Sequence, residues 1–200
     1  TATTVIGATD QIDELAAGFS ALGLAGRVNY VIVSDHGMAQ LSRDRLILLD
    51  DYLDPATVDV LDWGPVLALS PVDGNVDRVY AALKGRHKAL DVYRNAEIPA
   101  AYGALAGHPR VPAIMAIAKE GFVVTSRREA AKWNEEGAGA AGGAHGYDPR
   151  LKSMWGLFIA SGPGVRAGRV VKPFENIHLY DFMCALLGIE PAQNDGRPEV

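Results

Sequence analysis

Apolar positions recur along this chain in two alternating rhythms, one suited to helices and one to buried strands. Ile12, Leu15, Ala16, Phe19 and Leu22 return at steps of three and four, the spacing of one helical face, with Asp10 placed to cap the start. Val28 to Val33 is β-branched and aromatic without clean polar alternation, which predicts a strand covered on both faces. Asp50 to Pro55 reads as a loop or short helical turn, and Pro65 to Ser70 as a brief apolar strand that Pro71 ends. Val76, Val79, Tyr80 and Leu83 mark a second helical face. Val111 to Ala118 and Gly121 to Thr125 predict a hairpin-like pair or two short strands, and Trp155 to Ala160 a further apolar strand. There is no internal repeat, and the alternation places the chain in the α/β class. Residues 135–143 are mostly glycine and alanine, with few side chains to bury against an ordering cost of about 1–2 kcal/mol per residue. That tract is expected to be a flexible loop within one domain.

Candidate chemistry lies at the ends of the predicted strands. Asp35 and His36 follow the strand Val28–Val33, at the carboxyl end where open α/β sheets bind ligands. Neighbours within a strand point to opposite faces, so the two share a metal only if both lie in the turn. Gly37 eases such a turn by tolerating positive φ. A second His-Gly pair stands in Gly142-Gly143-Ala144-His145-Gly146-Tyr147-Asp148-Pro149, where Asp148 is placed to orient the His145 ring. Imidazole and carboxylate are both zinc ligands. On the residues alone, a hydrogen-bonded turn and a metal site stand as equal alternatives. His87 sits in the cationic surface run Arg86-His87-Lys88, His108 precedes Pro109 in a turn, and His178 lies on an apolar helical face as a buried or capping group. Ser34 adjoins Asp35 but is expected to point into the sheet, and no serine or threonine has a nucleophile's setting.

Composition narrows the classes. The chain of 200 residues carries a net charge of −5, with no basic stripe interleaved with aromatics, which excludes a nucleic-acid groove. Small phosphorylated substrates remain compatible, because metal charge outweighs a mildly acidic surface. No apolar run is long enough to span a membrane. The single cysteine, Cys184, allows no internal disulfide and reads as a small apolar residue on a helix.

Val28-Asn29-Tyr30-Val31-Ile32-Val33-Ser34-Asp35-His36-Gly37-Met38 resembles the signature of the nucleotide pyrophosphatase/phosphodiesterases of the alkaline phosphatase superfamily. Ala144-His145-Gly146-Tyr147-Asp148 resembles their second histidine motif, with Met154, Phe158, Gly162 and Pro163 following in order. Pro173 to Tyr180, Met183-Cys184 and Leu186 to Ile189 resemble their closing helix, while Tyr93, Glu97, Ile98, Pro99 and Arg110 fit the pattern more loosely. Gly164-Val165-Arg166 departs from the aromatic-basic pair that the family pattern has after Gly-Pro.

The resemblance implies an alkaline-phosphatase-like sheet with helices on both faces, here only its C-terminal portion. It implies two Zn2+ ions, with Asp35 and His36 on the zinc that activates the nucleophile and His145 on the zinc that prepares water. It further implies hydrolysis of nucleotide phosphodiester or pyrophosphate bonds through a covalent threonine intermediate, and an exported enzyme. Two such metals need roughly six protein ligands, and this chain offers three. The family's nucleophilic threonine, an early aspartate and an Asp-x-x-x-His pair precede the region that begins at Thr1. Residues 1–200 are therefore expected to be the C-terminal part of one catalytic domain, with its N-terminal half as partner and a nucleotide or other phosphodiester as substrate. The rival readings are another hydrolase of the superfamily (phosphomonoesterase, phosphonate hydrolase or sulfatase) and a noncatalytic zinc-binding module.

Overall fold

A computed structural model describes residues 2–103, 105–135 and 142–197. In chain order the main elements are α1 (Ala2–Ala21), β1 (Tyr30–Val33), β2 (Ala39–Gln40), β3 (Leu46–Leu48), β4 (Val58–Asp62) and β5 (Val66–Pro71). Then come α2 (Val76–Leu83), β6 (Leu90–Arg94), β7 (Ile114–Ala118), β8 (Val123–Thr125) and α3 (Arg127–Glu135). The last are β9 (Gly143–Ala144), β10 (Phe158–Ser161) and α4 (Leu179–Leu187). This is the mixed α/β content expected. By contacts the chain divides into two compact units, one formed by residues up to Val33 with those from Phe158, the other by Ser34–Leu157.

The Ser34–Leu157 unit is built on an antiparallel sheet of order β4-β5-β7-β6. β7 sits in its interior, and all five of its residues are buried. The strand period of two therefore gives both faces an apolar set. Ile114 and Ala116 join Leu67, Leu69 and Val92, which pack with Val79 and Leu83 of α2. Met115 and Ile117 cluster instead with Ile98. α2 starts where the Asn75 side chain accepts the Arg78 N–H at 3.1 Å, a cap that satisfies one of the first turn's free donors. At its other end Lys84 Nζ donates to the Val92 carbonyl of the outer strand β6 at 2.7 Å.

Several expectations are corrected here. Of the two readings of Val111–Ala118 and Gly121–Thr125, two short strands is the one found and the hairpin is not, because β7 pairs with β5 and β6 while β8 runs parallel to β3. Two apolar runs close in sequence each found a better partner elsewhere. His87 is half-buried: its Nδ1 accepts the Ala89 N–H at 3.1 Å and its ring meets Phe122 edge-on, so it is no solvated member of a cationic run. Of the tract at 135–143, residues 136–141 lie outside the described residues, Glu135 ends α3 and Gly143 belongs to β9.

In the other unit, β1 pairs antiparallel with β10, Tyr30 opposite Ser161 and Val33 opposite Phe158. Both strands are shorter than expected, and Val33 is 49% exposed, so within this unit the strand is not covered on both faces. Asp10 lies in the middle of α1 and is not its cap, because the helix starts at Ala2. Phe158 meets Phe174 and Phe182 edge-on, at 5.0 and 5.6 Å between ring centres. His178 is buried as expected, its Nδ1 accepting the Arg197 N–H at 3.0 Å.

Candidate metal centre

The turn that carries Asp35 and His36 is held by backbone. Gly37 N–H donates to the Met154 carbonyl at 3.0 Å. A Cβ on Gly37 would stand 2.0 Å from the Ser153 carbonyl oxygen and 2.8 Å from that of Trp155. Only glycine fits, and the reason differs from the one expected: Gly37 does not have positive φ, and it is close approach of another chain segment that excludes a side chain. Just beyond the turn, β2 pairs with β9, Ala39 opposite Ala144. That short ladder delivers His145, the next residue after β9, to the side of His36. The two imidazole rings stack with centres 3.5 Å apart and planes 16° from parallel.

His36 has its remaining polar groups engaged locally. Its N–H donates to Asp35 Oδ1 at 3.0 Å, and its carbonyl accepts the Ser34 hydroxyl at 3.2 Å. Its ring Nδ1 lies 2.7 Å from the Gly37 carbonyl, which can only accept, so the proton sits on Nδ1. In the neutral ring this leaves the Nε2 lone pair facing Asp35 Oδ2 at 3.3 Å. In that state they are two acceptors that a metal ion or a proton can join. Two ligands on one tetrahedral zinc, each about 2.0–2.1 Å from the ion, lie about 3.3–3.4 Å apart. The pair therefore fits a zinc ion in donor type, tautomer and separation. The Asp35 side chain is 83% exposed and that of His36 31%, so the pair opens outward. Among the described residues no group of three or more His, Cys, Asp or Glu gathers to hold a metal. The described residues thus bring together two groups able to ligate a metal, with a third imidazole against them.

Asp148 does something other than orient His145. Its carboxylate takes both Nε and Nη2 of Arg150, with Nε at 2.9 Å, and accepts the Arg150 N–H at 2.9 Å. No hydrogen bond joins it to His145 among the described residues. These bonds hold the Asp148 carboxyl down at about 2. Burial, and then the Asp148 charge, push the Tyr102 phenol up to about 12. Residue order hid this arrangement: an arginine two positions on satisfies the aspartate before the histidine three positions back can. Ser34 also departs from expectation. Its hydroxyl does not point idly into the sheet but accepts the Leu157 N–H at 2.7 Å while donating to His36.

The family model for type I phosphodiesterase / nucleotide pyrophosphatase matches residues 6–148, a span holding all three metal-ligand candidates. The chain belongs to this family. It is 36% identical over 180 residues to human ectonucleotide pyrophosphatase/phosphodiesterase family member 7, covering 87% of this chain and 37% of that protein. It is 35% identical over 187 residues to the mouse bis(5'-adenosyl)-triphosphatase, covering 94% and 39%. Among solved structures, an inactive form of murine ectonucleotide pyrophosphatase/phosphodiesterase 5 in complex with AMP superposes with a TM-score of 0.86 at 33% identity, over 97% of this chain and 50% of that one. The chain thus spans about half the length of that structure, and its fold is a partial alkaline-phosphatase-like one.

Proposed function

We propose that residues 1–200 are the C-terminal part of the catalytic domain of an exported, zinc-dependent nucleotide pyrophosphatase/phosphodiesterase. Its reaction is hydrolysis of nucleotide phosphodiester or pyrophosphate bonds, such as a nucleoside triphosphate to the monophosphate and pyrophosphate, through a covalent intermediate on a threonine outside this chain. The observation that carries this reading is the Asp35–His36 pair at zinc-ligand separation with the His145 ring stacked on it. The family's bis(5'-adenosyl)-triphosphatase and the AMP complex of family member 5 support the nucleotide class.

In this reading Asp35 and His36 would hold one zinc, the one that serves the nucleophile, and His145 would hold a second, the one that serves water. Bound zinc supplies Lewis acidity, which favours deprotonated oxygen nucleophiles and stabilises charge on the transferring phosphoryl group. The chain's own contribution is placement. The Gly37 carbonyl fixes the His36 ring so that Nε2 faces the metal position, the arrangement in which an outer partner sets a ligating imidazole. The β2–β9 ladder keeps the third ligand in register with the first two.

Steady-state hydrolysis of a nitrophenyl nucleotide ester by the full-length protein tests the proposal. Loss of an outer-shell partner costs about 10–100-fold, so His145→Ala, which removes a ligand itself, is expected to lower kcat/KM by more than about 100-fold. Full activity in that variant would remove His145 from the mechanism.

A further inference from the structure

Every polar group of His36 except Nε2 is fixed by a neighbour, and one of those neighbours ties the metal turn to a distant part of the chain. The Ser34 N–H donates to the Leu157 carbonyl at 3.0 Å, as in an antiparallel pair. The return bond is diverted: Leu157 N–H goes to the Ser34 hydroxyl at 2.7 Å, not to the Ser34 carbonyl. That hydroxyl has a single proton, and it donates it to the His36 carbonyl at 3.2 Å. One side chain therefore ends the backbone pairing and begins the ligand turn. Glycines seal the contact from both sides. A Cβ on Gly156 would stand 2.6 Å from the Ser34 carbonyl oxygen, and one on Gly37 would strike the Ser153 carbonyl. The segment 153–157 is a strap laid across the turn, and among the described residues the Ser34 hydroxyl makes the one side-chain hydrogen bond between them.

We propose that Ser34 is a positioning residue for the metal ligand His36, holding the His36 backbone so that Nε2 and the Asp35 carboxylate converge. The inference rests on the zinc reading above and adds a residue to it. Ser34 has no part as a nucleophile: its proton and a lone pair are both committed to backbone groups. What it determines is whether the two ligands stay at metal separation when no metal is present, and hence how readily an ion leaves.

The test compares wild type with Ser34→Ala and the matched pair Ser34→Thr and Ser34→Val, all in the full-length protein loaded with zinc or cobalt(II). Thermal unfolding reports whether each variant is folded. The readouts are the rate of metal loss to a chelator and the visible absorption of the cobalt form, which reports ligand geometry. Ser34→Ala and Ser34→Val are expected to lose metal about 10-fold faster than wild type, in line with outer-shell effects elsewhere, and to shift the cobalt spectrum. Ser34→Thr, which keeps the hydroxyl, is expected to restore both. Should Ser34→Ala not fold, the Thr and Val pair decides, since they differ only in hydroxyl against methyl. Folded Ser34→Val with wild-type metal release and an unchanged spectrum would overturn the inference while leaving the zinc reading intact. A His36→Ala variant with the metal content of wild type would end both together.

Discussion

The His36 ring lies face to face with the His145 ring at 3.5 Å, although more than half the chain separates the two residues. A stack this close makes the pair one structural object. Removing either ring leaves the other without its wall, so the two losses are not independent. His36→Ala and His145→Ala are each expected to lower kcat/KM by more than about 100-fold, with the double variant within about 10-fold of the worse single one. Multiplied losses in the double variant would mean that the rings act separately.

Gly37→Ala is expected to destabilise the fold as well as the site. The new methyl would stand 2.0 Å from the Ser153 carbonyl oxygen, which belongs to backbone and cannot swing aside. Overpacking of this kind costs about 1–3 kcal/mol. Urea unfolding should show a lower midpoint with an unchanged slope, and an unshifted midpoint would mean that the strap is looser than it stands here.

Much of this was legible in the residues, and the misses share a cause. The meeting of His36 and His145 is signalled in the sequence by two His-Gly pairs beside predicted strands, and the rings do stack. The buried run Ile114–Ala118 stood out because all five positions are apolar. What could not be read was partner choice. Asp148 precedes an arginine by two residues and follows a histidine by three, and sequence distance does not say which it will bind. Gly37 stands in the turn by close approach and not by positive φ, and an approach from residues 153–155 leaves no trace in the local sequence. Gly121–Thr125 lies next to β7 along the chain, yet β8 pairs with β3, a long-range match that local periodicity does not encode.

Asp148 links the site's flank to pH. Its carboxyl is held at about 2 by hydrogen bonds from Arg150, against 3.8 ordinarily. A depressed carboxylate adds stability that is fully present above the unfolded value and is lost as pH falls toward the folded one. The contribution is therefore nearly complete above about pH 5 and mostly lost by about pH 2. Because Arg150 is largely exposed, it amounts to about 1 kcal/mol or less. Asp148→Asn should be slightly less stable than wild type at pH 7 and nearly equal to it near pH 2, measured by denaturant midpoints. A gap that persists at pH 2 would assign the stabilisation to packing and not to charge.

The core of the Ser34–Leu157 unit gives a sharper contrast. Leu69 is fully buried, while Leu61 is 72% exposed. Leu69→Ala is expected to cost about 2–5 kcal/mol through lost burial and the cavity left behind. Leu61→Ala should stay within about 0.5 kcal/mol. Thermal or urea unfolding distinguishes them, and equal effects would contradict the assigned packing.

The Lys84 ammonium resting on Val92 has a consequence for life in concentrated solution. Asn95 N–H bonds Ala113 and Lys119 N–H bonds Ala89, so odd-numbered positions of this stretch face β7 and the Val92 carbonyl turns to the open margin. A margin with free acceptors is where another molecule's strand can dock and begin a runaway ladder. The exposed Lys84 ammonium bonded there makes that docking unfavourable, since an incoming strand must first displace it. Methionine in place of Lys84 would keep the stem and remove the guard, and the sheet would then be open to growth from its β6 side.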